Sequence, residues 1–370
     1  MKVLLATPYG GRVGGISRWA QHIVNYYKKC GYRDCEMDIL SVGDTKNIHI
    51  NTILKRVYYG VKIYYDFFIR GKVMMQEKKY DIFHLVSSAS ISLSKDIVML
   101  RLAKKRKIKT VVHFRFGRIP ELAIKKNWEW KLICKVVALS DTAIVIDKAS
   151  LETLQNAGYK NVVFLPNPVA PMISEIIEEN IDKKRELRTL LFAGHGLKTK
   201  GIYELVDACS QMSNIKLKMI GTIQDDVKKE LYEKVNNADW LDVCGEQPFK
   251  RVIEEMLSCD LFVLPTYTEG FPNVILESMA CGCAIVTTPV GAIPEMLEEE
   301  NGKHYGILVP PKNIEELKIG IEQMLNNEEL KEECRKNVQQ RVNERYNIDA
   351  VWKQMVNIWN NTISNNYEKN

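Results

Sequence analysis

The sequence predicts an α/β protein of two doubly wound, parallel-sheet domains facing a central cleft. Three observations predict it. Short runs rich in Val, Ile and Leu alternate with helical patterns along the whole chain. The alternation occurs twice, once in each half. Between the halves lies "PNPVAPMISEIIEENIDKKRE", whose three prolines and following charges mark a linker. Near-continuous apolar strands suit parallel sheets covered on both faces, and alternating βα units close such sheets by right-handed crossovers.

In the first half "KVLLATP", "EMDILSV", "DIFHLVS", "KTVVHFR", "TAIVIDK" and "NVVFLPN" read as strands. "GISRWAQHIVNYYKKCG" reads as the first helix, with a stop at Gly31. The second half repeats the scheme with "TLLFAGH", "IKLKMIG", "WLDVCGE", "LFVLPTY", "CAIVTTP" and "GILVPPK". At the end, Val351, Met355, Ile358 and Trp359 recur at helical spacing, and Trp352 and Trp359, seven apart, share a face. The expected domains are 1–168, joined by a returning helix at about 347–370, and 169–346. Ligands of such sheets sit at the carboxyl ends of the strands, so both sets of loops would aim at one cleft.

Composition narrows the class. The chain has 370 residues, 46% apolar and 26% charged, which is ordinary for a globular protein. No run approaches the roughly 18 apolar residues of a membrane span. Val3 to Ala6 is shorter than the apolar stretch of a signal peptide, about 7–15 residues. Nine cysteines lack metal-type pairing, since Cys281 and Cys283 have no second pair beside them. Free thiols in a reducing cytoplasm are the expectation. The net charge of +6 hides a split. Residues 1–170 carry 29 Lys and Arg against 13 Asp and Glu, a balance of +16, and the remainder carries −10. The basic half calls for an anionic partner.

Three loops carry chemistry. In "TPYGGRVGGISRW", Gly14 and Gly15 precede a helix, so bare N–H groups can approach an anion at its positive end. Gly10 and Gly11 have Arg12 and Val13 two residues on, so the dinucleotide fingerprint fails. "FAGHGLKTKGIYELVDA" presents His195, Lys198 and Lys200 at a helix start. The dipole there repels cations, which points to a bound anion, with Lys198 read as a solvated charge. In "DLFVLPTYTEGFPNVILESMACG" the chain turns through Gly270, Phe271 and Pro272, and Asn273 is the expected N-cap of a helix. Glu269 stays on the loop and Glu277 lies one turn into the helix. Two carboxylates with N–H donors between them can hold a polyol at two points while the helix end takes a phosphate.

With these motifs the sequence resembles the retaining glycosyltransferases of family 4, of GT-B fold, over nearly its whole length. The resemblance rests on "GGRVGGISR", "VVHFRFG", "LPNPV", "FAGHGLKTKG", "GILVPPKNIEEL" and, most specifically, "LFVLPTYTEGFPNVILESMACGCAIVTTPVGAIPE". It implies that Glu277 hydrogen-bonds the nucleotide's ribose and that Glu269 lies against the transferred sugar. The N–H groups of Phe271, Asn273 and Val274 would bind sugar or phosphate. Lys200 would neutralise the donor diphosphate, with Gly15 offering its N–H nearby, and His113 would lie near the transferred sugar. His195 stands where the family usually has Arg. A neutral imidazole is a weaker phosphate ligand than guanidinium, so a protonated His195 or another cation such as Arg18 would assist. The final helix would cross back onto the first domain.

The implied reaction moves a hexose-type sugar from a UDP- or GDP-sugar, as co-substrate, to a lipid-linked or oligosaccharide acceptor. No cofactor or metal is expected, since the chain contains no Asp-x-Asp. "KRVYYGVKIYYDFFIRGK" at 55–72, Lys104, Lys105, Arg106, Arg115, Arg118, Lys125, Lys126, Trp128 and Trp130 together suggest a basic, aromatic surface for acceptor and anionic membrane. No nucleic acid is expected, and the location would be the cytoplasmic face of a membrane. The alternatives are a nucleotide-sugar hydrolase or epimerase of the same fold, or a non-catalytic basic protein that binds membrane or nucleic acid.

Overall fold

The computed structural model describes residues 1–9, 15–30, 33–42 and 53–364, without the side chains of 53–58. Gly10, Gly11, Arg12, Val13, Gly14 and the helix stop at Gly31 lie outside the described residues. The chain forms two compact units, Met1–Pro168 with Ile348–Asn370, and Val169–Asn347.

Unit 1 holds a six-stranded sheet of β1 (Lys2–Thr7), β2 (Glu36–Ser41), β3 (Ile82–Ser87), β4 (Lys109–Phe114), β5 (Thr142–Val145) and β6 (Val162–Phe164). The order is β2-β1-β3-β4-β5-β6, and every pairing is parallel. All six residues of β3 are buried, as a strand covered on both faces must be. One face packs against α1 (Gly15–Lys29) and the final helix, Ile348–Ile363, through Val3, Leu5, Trp19, Ile23, Val111 and Ile144. Trp352 and Trp359 are buried edge to face, with centroids 5.7 Å apart. The final helix is also tied by polar bonds. Trp352 Nε1 donates to Asp34 at 2.6 Å and Trp359 Nε1 to His84 Nδ1 at 3.0 Å. Each buried side chain of this size stabilises by about 1.5–3 kcal/mol, which makes the helix integral to unit 1. α2 (Ile53–Glu77) and α3 (Ser92–Lys105) cover the other face with Phe67, Met75, Leu93 and Met99.

Unit 2 repeats the plan with β7 (Glu186–Ala193), β8 (Lys216–Ile220), β9 (Leu241–Gly245), β10 (Cys259–Leu264), β11 (Ala284–Thr287) and β12 (Ile307–Leu308). Their order is β12-β11-β10-β7-β8-β9, again parallel throughout. β7 and β10 are central and adjacent. The loops leaving their carboxyl ends therefore emerge side by side.

Candidate active site

After β7 the chain passes exposed His195, makes a 3-10 turn at Lys198–Lys200 and enters the helix Ile202–Ser210. Gly201 joins turn and helix at φ 71°, and a Cβ there would lie 2.1 Å from the Pro265 carbonyl oxygen. Only glycine lets this turn press against the loop after β10. Two hydrogen bonds reinforce the contact. The Tyr267 N–H donates to Thr199 O at 2.8 Å, and Thr266 Oγ1 donates to the same oxygen at 3.3 Å. The Tyr267 hydroxyl also donates to the Glu204 carboxylate on the helix. Burial and that carboxylate raise the phenol's pKa well above its ordinary value.

The β10 loop is held from its other side by Gly291, at φ 59°. A Cβ there would lie 2.5 Å from Glu269 O and 2.6 Å from Gly270 O. The Ala292 N–H donates to Gly270 O at 2.8 Å. Pinned from both sides, Glu269 meets Lys200 Nζ at 2.5 Å, with side chains 12% and 21% exposed. Removing one partner of so enclosed an ion pair costs about 3–5 kcal/mol.

The helix that follows, Asn273–Ala280, starts one residue earlier than the capping preference of Asn273 predicts. Its N-cap is Pro272, with no side-chain cap, and Asn273 is the first helical residue. Pro272 is extended and has no N–H to satisfy, so it can stand at the threshold. Its carbonyl accepts the Ile275 and Leu276 N–H groups at 3.1 and 3.3 Å. Phe271 is buried, its ring 5.9 Å from Tyr346, so it anchors the turn and has only its backbone to offer a ligand. Asn273, Val274 and Glu277 are half-buried. The first N–H groups of a helix lack intrahelical acceptors, and the dipole is positive there. A cation, two carboxylates and an anion-favouring helix end thus share one strand edge. That set can hold a polyol beside a phosphate.

In unit 1, Gly15 is the exposed first residue of α1, and a Cβ there would meet nothing within 4 Å. His113 on β4 is wholly buried. Its ring stands edge-on to Trp19 at 5.0 Å and lies 5.5 Å from His84, and its Nε2 is 3.4 Å from Arg115 Nη1. Burial, then Arg115 and His84, hold His113 well below the ordinary imidazole value; burial, then Arg115, bring His84 to about 3. Both are neutral near pH 7.

Arg115 corrects the expectation of a basic surface residue. It is half-buried, with its guanidinium 4.7 Å over Trp19. Strand alternation explains this, because Arg115 stands two residues after His113 and shares the face that α1 covers. Burial lowers it to about 9, still charged at neutral pH. Three neighbours are corrected in part. Arg118 pairs with Glu129 at 3.3 Å, Arg106 donates to the Met75 carbonyl at 3.4 Å, and Trp130 packs on the core. Lys104, Lys105 and Trp128 are exposed. Lys55 and Arg56 have side chains outside the described set.

Sequence reasoning singled out neither Gly201 nor Gly291, nor Tyr267, Trp19 and His84. A glycine directly after Lys200, and another between the Val290 and Ala292 that follow β11, were the available signals.

The two neutral histidines set a pH dependence. An unfolded chain binds a proton at each below about pH 6.5, which the folded unit refuses until far lower, near 3 for His84. Stability is therefore full above 6.5 and falls as pH drops, by about 1.4 kcal/mol per pH unit for each histidine. His84→Gln should flatten the melting temperature of unit 1 between pH 6 and 5. An unchanged slope would contradict this.

The chain is similar to known proteins in sequence and in fold. Residues 174–341 match the model of the family described as glycosyl transferases group 1. An uncharacterized glycosyltransferase of Methanocaldococcus jannaschii is 25% identical over 335 residues, 90% of each chain. The N,N'-diacetylbacillosaminyl-diphospho-undecaprenol alpha-1,3-N-acetylgalactosaminyltransferase of Campylobacter jejuni is 26% identical over 187 residues, 50% of this chain and 47% of that one. Among solved structures, Anabaena HepE in complex with UDP-glucose shares the fold with a TM-score of 0.68 at 17% identity, covering 99% of this chain and 100% of that one. Paired parallel-sheet units of this order are the GT-B fold. Residues 174–341, the part that matches the glycosyl transferases of group 1, hold Lys200, Glu269 and Glu277.

Proposed function

We propose that this glycosyltransferase is a retaining, metal-independent enzyme of family 4. It moves a hexose-type sugar from a UDP- or GDP-sugar to a lipid-linked glycan acceptor in cell-surface polysaccharide assembly. The observation that carries the reading is the Lys200–Glu269 pair beside the helix that bears Glu277. In the reaction the bond from anomeric carbon to phosphate oxygen breaks, and the nucleoside diphosphate leaves with the electron pair. Lys200 and the Asn273 helix end stabilise that charge, which is usually the largest catalytic contribution. Glu269 faces the cationic sugar carbon. The acceptor hydroxyl attacks from the face the phosphate leaves, and its proton passes to a departing phosphate oxygen. His195, exposed at the end of β7, is a secondary phosphate ligand.

The UDP-glucose of HepE supports the donor class, and the undecaprenol-linked substrate named for the Campylobacter enzyme supports the acceptor class. Incubation with a matching donor and acceptor, followed by NMR of the new linkage, tests the chemistry. The expected product keeps the donor's anomeric configuration, with a rate unchanged by chelator. An inverted linkage, free sugar as the only product, or loss of activity with chelator would overturn the reading.

Membrane association belongs to the same reading. Among the described residues no helix is long and apolar enough to cross a membrane. On α2, however, Val61, Tyr65, Ile69 and Val73 are 64%, 68%, 37% and 40% exposed, one stripe with a four-residue repeat. Lys62 and Lys72 flank it, and exposed Lys104 and Lys105 lie on α3, which packs against α2. An apolar stripe edged by lysines suits an anionic bilayer surface on the cytoplasmic side, each cation adding about 1 kcal/mol. The protein should float with anionic vesicles at low salt, and Tyr65→Ser with Ile69→Ser should release it. No flotation of the wild type would contradict this.

A further inference from the structure

We infer that Tyr346 is a positioning residue of the donor site, tying the loop that grips the nucleotide to both points where the chain passes between the two units. The role belongs to the transferase reading, since it concerns how the loop and helix from Glu269 to Glu277 are held.

The contacts start at Phe271. Its backbone is what the loop offers a ligand, and its ring is buried against Tyr346, with centroids 5.9 Å apart and planes at 67°. Tyr346 is itself buried, at 3% exposure. Its hydroxyl donates to the Glu295 carbonyl at 3.1 Å, on the short helix Ile293–Leu297. That helix follows directly on Gly291, which presses on the donor loop, and Ala292, which bonds Gly270 O. One side chain thus touches the donor loop and braces the segment that pins it.

The backbone of Tyr346 reaches further. Its carbonyl accepts the Val169 N–H at 2.7 Å. Val169 is the first residue of unit 2, and Asn347, next to Tyr346, is the last. The chain therefore enters and leaves unit 2 at one hydrogen-bonded place. The turn that sets Tyr346 there, Val342–Tyr346, is π-helical. Such wide turns are rare and occur frequently at functional sites. Arg341 and Arg345 fasten it to Glu300 at 2.8 and 2.7 Å, and Arg341 also donates to the Met296 and Glu298 carbonyls at 2.9 and 3.2 Å. Packing alone asks only for an apolar ring at this position. A ring on the donor loop, a hydroxyl on its clamp and a carbonyl on the entering chain make Tyr346 a junction. A ligand that fixes the Phe271 backbone lowers the freedom of Tyr346, and through it the opening of the Val169 bond.

The test uses the full chain, with UDP and GDP as probes. Calorimetry gives the affinity, and hydrogen exchange at the Val169 amide gives the coupling. The nucleotide that binds should slow that exchange in the wild type. Tyr346→Leu should weaken binding by about 3–10-fold, the worth of an edge-to-face aromatic pair, and abolish the slowing. Phe271→Leu should do the same from the other partner. The double variant should bind no worse than either single one, because both remove the same contact. Tyr346→Phe, which keeps the ring, should recover most of the affinity and the slowing. A residue that only stabilised the fold would shift the melting temperature without changing how Val169 responds to nucleotide. Three results would overturn the inference and leave the transferase reading standing: Val169 exchange unmoved by a nucleotide that binds, variants that bind as the wild type does, or additive losses in the double variant. Failure of the wild type to bind either nucleotide would overturn both.

Discussion

Replacing Lys200 with Met lowers the transfer rate by about 10²–10³-fold, the loss expected when one preorganised donor to developing charge is removed. The same change strands the Glu269 carboxylate, whose side chain is only 12% exposed, so the variant also melts earlier. Chemistry and stability are separated by a second variant. Lys200→Met with Glu269→Gln removes both charges, and its melting temperature should recover most of the loss while the rate stays low. Neighbours in direct contact are not additive, so the recovery itself measures their coupling. A Lys200→Met rate within about threefold of wild type would remove the leaving-group role from this lysine.

Gly291→Ala produces the second large effect, through backbone alone. The added methyl would meet two carbonyl oxygens, those of Glu269 and Gly270, at 2.5 and 2.6 Å. The loop must shift, and Glu269 with it. Displacement of a positioned group by about 1 Å can cost about 10²-fold in rate. Gly302→Ala is the control. Gly302 has φ 72°, but a Cβ there meets nothing within 4 Å, so it bears only the left-handed strain of about 1–2 kcal/mol. The expected result is a near-normal rate for Gly302→Ala and a severe loss for Gly291→Ala. Equal rates would mean that the Gly291 contact does not position Glu269.

These two predictions rest on different kinds of legibility. The strands were readable because burial on both faces demands apolar runs, and β3 and β10, buried along their whole length, show this most plainly. The meeting of Lys200 and Glu269 was readable because each lies in a recognisable turn after a strand, and the place of Glu277 because it stands four residues after Asn273 in the helix that follows. The helix start was misjudged by one residue, since local preference favoured Asn273 whereas Pro272 could take the cap without needing a hydrogen bond. Arg115 was misread for a deeper reason. An arginine at a strand end reads as surface, and only the fold shows Trp19, on a helix far earlier in the chain, lying beneath it. Gly201 and Gly291 look like ordinary turn residues until the oxygens of distant loops are placed against them. Long-range backbone approach leaves no local pattern.

The central claim is that the loop and helix from Glu269 to Glu277 grip a nucleotide sugar. Calorimetric titration of UDP-, GDP- and ADP-sugars without metal, on wild type and Glu277→Ala, tests it most directly. The account predicts that one nucleotide class binds the wild type and that Glu277→Ala weakens it by about 10–150-fold, the value of a hydrogen bond to a charged group. Binding undiminished in Glu277→Ala, or no binding of any donor to the wild type, would contradict it.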